Sequence, residues 1–181
     1  MLNPFATTFW ASGTIPFQFT KQNENIETVL VKAQQHPICQ IVGPHGSGKS
    51  TLLLEFLKQY GTSGKHVRYL FFNDQNRHLP NDLVFSKNQI LLADGFEQLS
   101  IKNQLCLLFR SKRLIITVHR PVWFVPVLYR TQPHFSIFVQ LVRKMDPHSP
   151  QEPVLREVYE RSGGNFRSAF FALYDLWEKN R

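Results

Sequence analysis

With 181 residues, 43% hydrophobic and 19% charged side chains, the chain has the apolar material for a core, which excludes a disordered chain. Its net charge is +8 without any basic run, so the charge reads as a diffusely basic surface before it reads as a nucleic-acid footprint. Two cysteines, Cys39 and Cys106, expected as buried free thiols, exclude a disulfide scaffold and a zinc module and agree with a reducing compartment.

Residues 1–22 hold Phe5, Phe9, Trp10, Phe17 and Phe19 at no regular period among Pro, Thr and Gly. An irregular aromatic arm is expected, packing on the domain or walling a nucleotide base. Its start carries no basic segment followed by a long apolar one, so a signal peptide is not expected. No apolar run approaches the roughly 18 residues of a membrane span, and the chain reads as cytoplasmic with no membrane partner.

Residues 23–35 read as an amphipathic helix with Ile26, Val29, Leu30 and Ala33 on one face and Asn23 as N-cap, stopped by Pro37. An apolar strand follows at 38–42. Then comes Gly43-Pro44-His45-Gly46-Ser47-Gly48-Lys49-Ser50, and from Thr51 to Tyr60 a helical run. Strand, glycine-rich loop and helix in this order fit G-x-x-x-x-G-K-[ST], the phosphate-binding P-loop. Gly43, Gly46 and Gly48 are expected to free the backbone to turn its N–H groups inward. Pro44 pre-sets one turn. The helix would start at the phosphates, with Ser50 and Thr51 in its first turn. Lys49 would reach the β- and γ-phosphates, and the Ser50 hydroxyl would ligate Mg²⁺.

Gly61-Thr62-Ser63-Gly64 is a turn, and Val67–Phe72 a second strand ending at Asn73-Asp74. A polar stretch leads to the third strand, Gln89–Asp94, apolar and short as in the middle of a parallel sheet. A helix over 100–109 is expected to turn Ile101, Leu105, Leu108 and Phe109 inward; Arg110-Ser111-Lys112-Arg113 closes it with favourable cations. Strands four and five are expected at 114–118 and 127–130. The tail changes to helices at 135–145, 154–161 and 165–179, interrupted by Pro147, Pro150 and Pro153 and by Ser162-Gly163-Gly164. The expected fold is α/β: a three-layer α/β/α core of about five mostly parallel strands over 23–132, an arm over 1–22 and a small helical lid over 133–181.

Asp94 ends a buried strand, where a carboxylate at the C-terminal edge can share Mg²⁺ with Ser50. Glu97 either activates an attacking water or caps the following helix. Thr117 and His119 end the fourth strand, where His119 can hold that water or sense the γ-phosphate. Arg167, against the dipole in a helix first turn, suggests an anion partner. Arg120 and Arg130 are candidate arginine fingers, in cis or toward a neighbouring subunit. Asp74 could serve a kinase as base toward an acceptor hydroxyl, or stand as a turn residue.

Gly43–Ser50 resembles the Walker A loop of AAA+ and related ATPases. Leu91-Leu92-Ala93-Asp94-Gly95-Phe96-Glu97-Gln98-Leu99 resembles the Walker B segment of STAND ATPases, and Ser162–Ala169 is similar to the sensor 2 segment of the AAA+ lid. The resemblance implies a core-plus-lid ATPase that binds ATP and Mg²⁺, with Arg167 reaching the γ-phosphate and a protein partner or second copy engaged through an arginine finger. Gly95 stands where many such enzymes have a catalytic glutamate, and Thr117 or His119 where asparagine is usual. The guanine-reading Asn/Thr-Lys-x-Asp pattern is absent, which points to ATP over GTP. The reading is an ATPase switch of slow turnover; the alternatives are a small-molecule or polynucleotide kinase, or a non-hydrolysing nucleotide-dependent module, with nucleic acid the less favoured partner.

Overall fold

A computed structural model describes residues 2–21 and 23–179. Met1 and Gln22 of the expected arm, and residues 180–181 of the expected lid, lie outside the described residues. The described chain is α/β, with seven α-helices and one five-stranded sheet in which every pairing is parallel. The strands are β1 (Ile38–Val42), β2 (His66–Phe71), β3 (Gln89–Asp94), β4 (Arg113–Val118) and β5 (Val127–Arg130), in the order β2-β3-β4-β1-β5.

Position in the sheet explains each strand's composition. β3 is buried at all six residues, because it has a neighbour on each side and cover on both faces. β2 and β5 are the edges and are only partly buried. Pro126 immediately before β5 lacks a donor, which suits the start of an edge strand.

Helices α2 (Ile26–Gln35) and α3 (Lys49–Thr62) cover one face, where Val29, Leu52, Leu53 and Phe56 meet Ile41, Leu92 and Ile115. The N-cap of α2 is Asn25 rather than Asn23: Asn25 Oδ1 accepts from Thr28 N–H at 2.8 Å, and Thr28 Oγ1 accepts from Asn25 N–H. A reciprocal capping box of this kind outcompetes a lone asparagine two residues earlier.

The opposite face is covered by α4 (Ile101–Arg110), by a 3-10 turn at Phe96–Gln98 and by the segment 119–126. α4 differs from its expected orientation. Leu107 and Leu108 are buried, whereas Ile101, Leu105 and Phe109 face outward, Phe109 being 81% exposed. Cys106 is correspondingly half-buried; Cys39 is buried as expected, and burial pushes its thiol up to about 12.

The C-terminal helices α5 (Phe135–Met145), α6 (Glu152–Arg161) and α7 (Phe166–Lys179) form their own cluster around Phe138, Val142, Leu155 and Phe170. Pro153 lies in the first turn of α6 rather than ending a helix, where its missing N–H costs nothing. The aromatic arm carries the short helix α1 (Thr7–Trp10) and ties the two clusters together. Phe5 is buried among α5–α7, and Trp10 lies 5.0 Å from Phe171. Phe17 and Phe19 stack edge-on against Tyr129 of β5, at 5.8 and 5.7 Å. An arm that serves two clusters has no single face, hence its lack of period. Among the described residues no helix is long and apolar enough to cross a membrane.

Candidate functional site

The C-terminal ends of β1, β3 and β4 lie side by side, and β4 stands between the other two. Its tip therefore links the glycine loop to Asp94. Val118 C=O accepts from Gly43 N–H at 3.2 Å, and the neighbouring Thr117 hydroxyl donates to Asp94 Oδ1 at 2.6 Å. Thr117 Oγ1 in turn accepts from Gly95 N–H at 2.9 Å. Tyr69 on β2 donates to Asp94 Oδ2 at 2.8 Å. Asp94, 3% exposed, is thus held by one hydroxyl from each side. The burial and the Asp94 carboxylate beside it push the Tyr69 hydroxyl well above its ordinary range.

The loop departs from expectation in the job of one glycine. Gly46 and Gly48 have φ of +69° and +90°, which a side chain would resist. Gly43 has no such angle. A Cβ there would collide with Thr131 Oγ1, so it is close approach rather than backbone freedom that excludes a side chain. Ser47 Oγ donates to Pro44 C=O at 2.8 Å and lies 2.6 Å from Thr131 Oγ1, fastening the loop to the end of β5. Gly48 serves as the N-cap of α3, whose first residues are Lys49, Ser50 and Thr51, so the helix's positive end opens at the loop.

Lys49 Nζ donates to Gly43 C=O at 2.7 Å and Pro44 C=O at 2.8 Å. Burial lowers the ammonium to about 8, against the pull of the Glu97 and Asp94 carboxylates, which raise it. Since the unfolded value is about 10.5, the buried charge destabilises the fold fully below pH 8. That penalty is relieved as pH rises from 8 toward 10.5. An incoming polyphosphate would favour the ammonium again. A nucleoside triphosphate that bound at the loop at pH 8.5 would therefore take up a fraction of a proton. Calorimetry in two buffers of different ionisation enthalpy reads this directly, and Lys49→Ala should abolish it.

Glu97 does not cap the next helix; Ser100 does, its hydroxyl accepting from Asn103 N–H. Glu97 instead turns to β4: Oε2 accepts from His119 N–H at 3.2 Å, and Oε1 meets the ring at Nδ1. Burial raises the Glu97 carboxyl above the usual range, opposed by the His119 N–H and by Lys49. Burial, Lys49 and His45 together pull the imidazole down to about 4, so it is neutral at physiological pH. A neutral ring facing a carboxylate through Nδ1 carries its proton there, which leaves Nε2 as an acceptor. The His45 ring stacks on His119 at 3.6 Å and 31°, joining the loop to this pair. Sequence reasoning placed His45 in the loop and His119 at the strand tip but had no signal for their stacking.

On the other side of the loop lies a cavity of about 410 Å³. Gly46–Thr51 form one wall; the arm contributes Trp10 and Phe17, β5 Tyr129, and the lid Arg167 and Phe171. The lid touches the loop itself: a Cβ on Gly46 would collide with Asn165 Oδ1. That oxygen also caps α7, accepting from Arg167 N–H at 3.0 Å and Ser168 N–H at 3.3 Å. Arg167 is exposed at the cavity wall.

Three sequence candidates stand apart from this cluster. Asp74 follows the edge strand β2, three strand spacings or about 14 Å from β1, and pairs with Arg77. Arg120 and Arg130 are exposed, Arg120 two residues beyond β4 and Arg130 the last residue of β5. No group of three or more His, Cys, Asp or Glu among the described residues is arranged to hold a metal ion alone. No protein-family model matches the chain, and no curated protein matches it in sequence.

Proposed function

We propose that the protein binds Mg–ATP across the glycine loop, in the manner of a P-loop ATPase of AAA+/STAND type, and hydrolyses it slowly as a nucleotide-dependent switch. One observation carries this reading. A glycine loop capping a helix N-terminus, with Lys49 in its first turn, lies between a paired Glu97–His119 and an aromatic-lined cavity of about 410 Å³.

The residues suit the expected cofactors. Mg²⁺ is held with few protein ligands, keeping waters and taking phosphate oxygens, so Ser50 would ligate it and Asp94, whose oxygens already accept the Thr117 and Tyr69 hydroxyls, would act through its water shell. Bound there, it would neutralise charge on the phosphates. Lys49 and the α3 amides would bind the β- and γ-phosphates. Trp10, Phe17 and Tyr129 would pack on the base, and Arg167 would reach the outer phosphate from the lid. Of the two candidate bases, Glu97 suits proton removal from water better, because its raised carboxyl is a stronger base than an imidazole pulled down to about 4. His119 then orients Glu97. The remoteness of Asp74 leaves the kinase alternative without support.

The test is calorimetric titration of ATP, ADP and GTP with Mg²⁺ into the wild type, Lys49→Ala and Arg167→Ala. ATP is expected to bind the wild type and to lose at least about tenfold in affinity with Lys49→Ala, the scale of one charge-assisted contact. Arg167→Ala should weaken ATP more than ADP. Absence of ATP binding to the wild type, or binding unchanged in Lys49→Ala, would sink the reading.

A further inference from the structure

Three residues before the glycine loop, β1 contains a polar residue that the fold does not need for a strand. Gln40 is fully buried. Its whole amide is used on the segment that crosses from β4 to β5. Nε2 donates to Val122 C=O at 2.8 Å and to Val125 C=O at 2.5 Å, and Oε1 accepts from Val122 N–H at 2.9 Å. Val125 N–H donates to Val122 C=O at 3.0 Å, closing a turn whose two central residues are Trp123 and Phe124. Val122 and Val125 anchor the turn in the core below. Trp123 is 92% exposed and Phe124 53%. Pro121 and Pro126 bracket the turn. A buried amide thus holds two large apolar side chains out in water in a fixed conformation.

The surroundings have an excess of unpaired positive charge, since Glu97 is paired with His119. Residues 98–145 contain eight Lys and Arg and no Asp or Glu, so this stretch carries the chain's entire excess of +8. On the same side of the sheet, α4 turns Ile101 and Phe109 outward, with Lys102, Arg110 and Lys112 exposed beside them. Among the described residues none of these three cations, nor Arg120 beside the turn, is in an ion pair. The two acids of the neighbouring 73–88 segment, Asp74 and Asp82, are each neutralised by Arg77 and Arg68.

Against the expectation of no membrane partner, we propose that the Trp123–Phe124 turn, with the unpaired cations of α4 and Arg120 beside it, docks the protein reversibly on an anionic lipid surface. Aromatic side chains partition to the headgroup level of a bilayer, and Lys and Arg add attraction to anionic lipids. A projecting turn needs no matching groove in its partner. Single-stranded nucleic acid shares the preference for cations and aromatics, but two features speak against it. Trp123 and Phe124 meet at 81°, so they do not form parallel platforms for successive bases, and aliphatic Ile101 and Val127 are exposed on the same molecule.

Co-sedimentation of the full chain with vesicles tests this. Vesicles of phosphatidylserine and phosphatidylcholine should bind it, pure phosphatidylcholine should not, and added salt should weaken binding. Trp123→Ala/Phe124→Ala should lose at least about tenfold in vesicle affinity while keeping its thermal unfolding midpoint and its nucleotide affinity. Failure of the wild type to bind anionic vesicles, or equal binding by the double variant, would overturn the proposal. So would loss in that variant of binding to a single-stranded oligonucleotide, or of self-association, with no vesicle binding in the wild type. Because nucleotide affinity is read separately, a negative vesicle result leaves the ATP reading standing.

Discussion

Glu97→Gln is expected to lower the turnover of bound ATP by about 10²- to 10⁴-fold, the usual worth of a positioned general base, with little change in ATP affinity. The amide keeps the size of the side chain and an oxygen for His119 N–H, but it cannot take a proton from water. The pH dependence is the sharper part. As the proposed base, Glu97 would work only when ionised, and burial raises its carboxyl above the ordinary range. Turnover in the wild type should therefore decline on acidification before an ordinary carboxylate would titrate. His119→Phe is expected to keep the ring's packing against His45 while removing the partner of Oε1. It should slow turnover less than Glu97→Gln and shift the acid limb of the profile. Single-turnover kinetics across pH reads both effects. Equal turnover in Glu97→Gln and wild type would assign the base elsewhere.

Thr117→Val is expected to destabilise the fold by roughly 2–4 kcal/mol, the sum of a hydrogen bond to a carboxylate and an orphaned amide. Valine matches threonine in shape, so packing is nearly unchanged. What disappears is the donor to buried Asp94 and the acceptor for Gly95 N–H. Tyr69 would be left as the sole hydroxyl on that carboxylate. Urea unfolding should show a lower midpoint at unchanged slope. A double-mutant cycle with Tyr69→Phe should give a loss greater than the two single losses summed, because both hydroxyls serve one group. A loss below about 0.5 kcal/mol would mean that water replaces the threonine.

The order strand, loop, helix over 38–60 was legible because its signals are local, glycines, a lysine and a hydroxyl at fixed spacing; the helix runs on through Gly61 and Thr62, read as a turn, because Gly61 meets nothing that stops it there. β3, β5 and α5 were likewise legible, to the residue, from apolar content and punctuation. α4 shows where such reading stops. Its run Leu105-Cys106-Leu107-Leu108-Phe109 is apolar all round, so periodicity cannot choose a face. The sheet chooses Leu107 and Leu108, and the outward residues become a surface property that composition alone would have hidden in the core. Strand order was also beyond the sequence, and with it the insertion of β4 between β3 and β1 that links Thr117 to Asp94 and His119 to Glu97. The candidate residues could be named one by one, but their pairings are long-range contacts set by topology.

The arm has a consequence for how the chain is made. Phe5 leaves the ribosome well before α5, α6 and α7, yet its site lies among them. Asn3 likewise waits for α7, where its amide donates to Tyr174 C=O at 3.1 Å and to Glu178 at 2.9 Å. The sheet and its two helical layers can assemble while Phe5 is still unmatched, with Phe17 and Phe19 at Tyr129 and Gly13 close to Leu54 of α3. Docking of the arm on α7 has to wait for that helix, and it carries the loop-closure entropy of contacts more than 160 residues apart. Until then an apolar strip is open to chaperones and to other nascent chains.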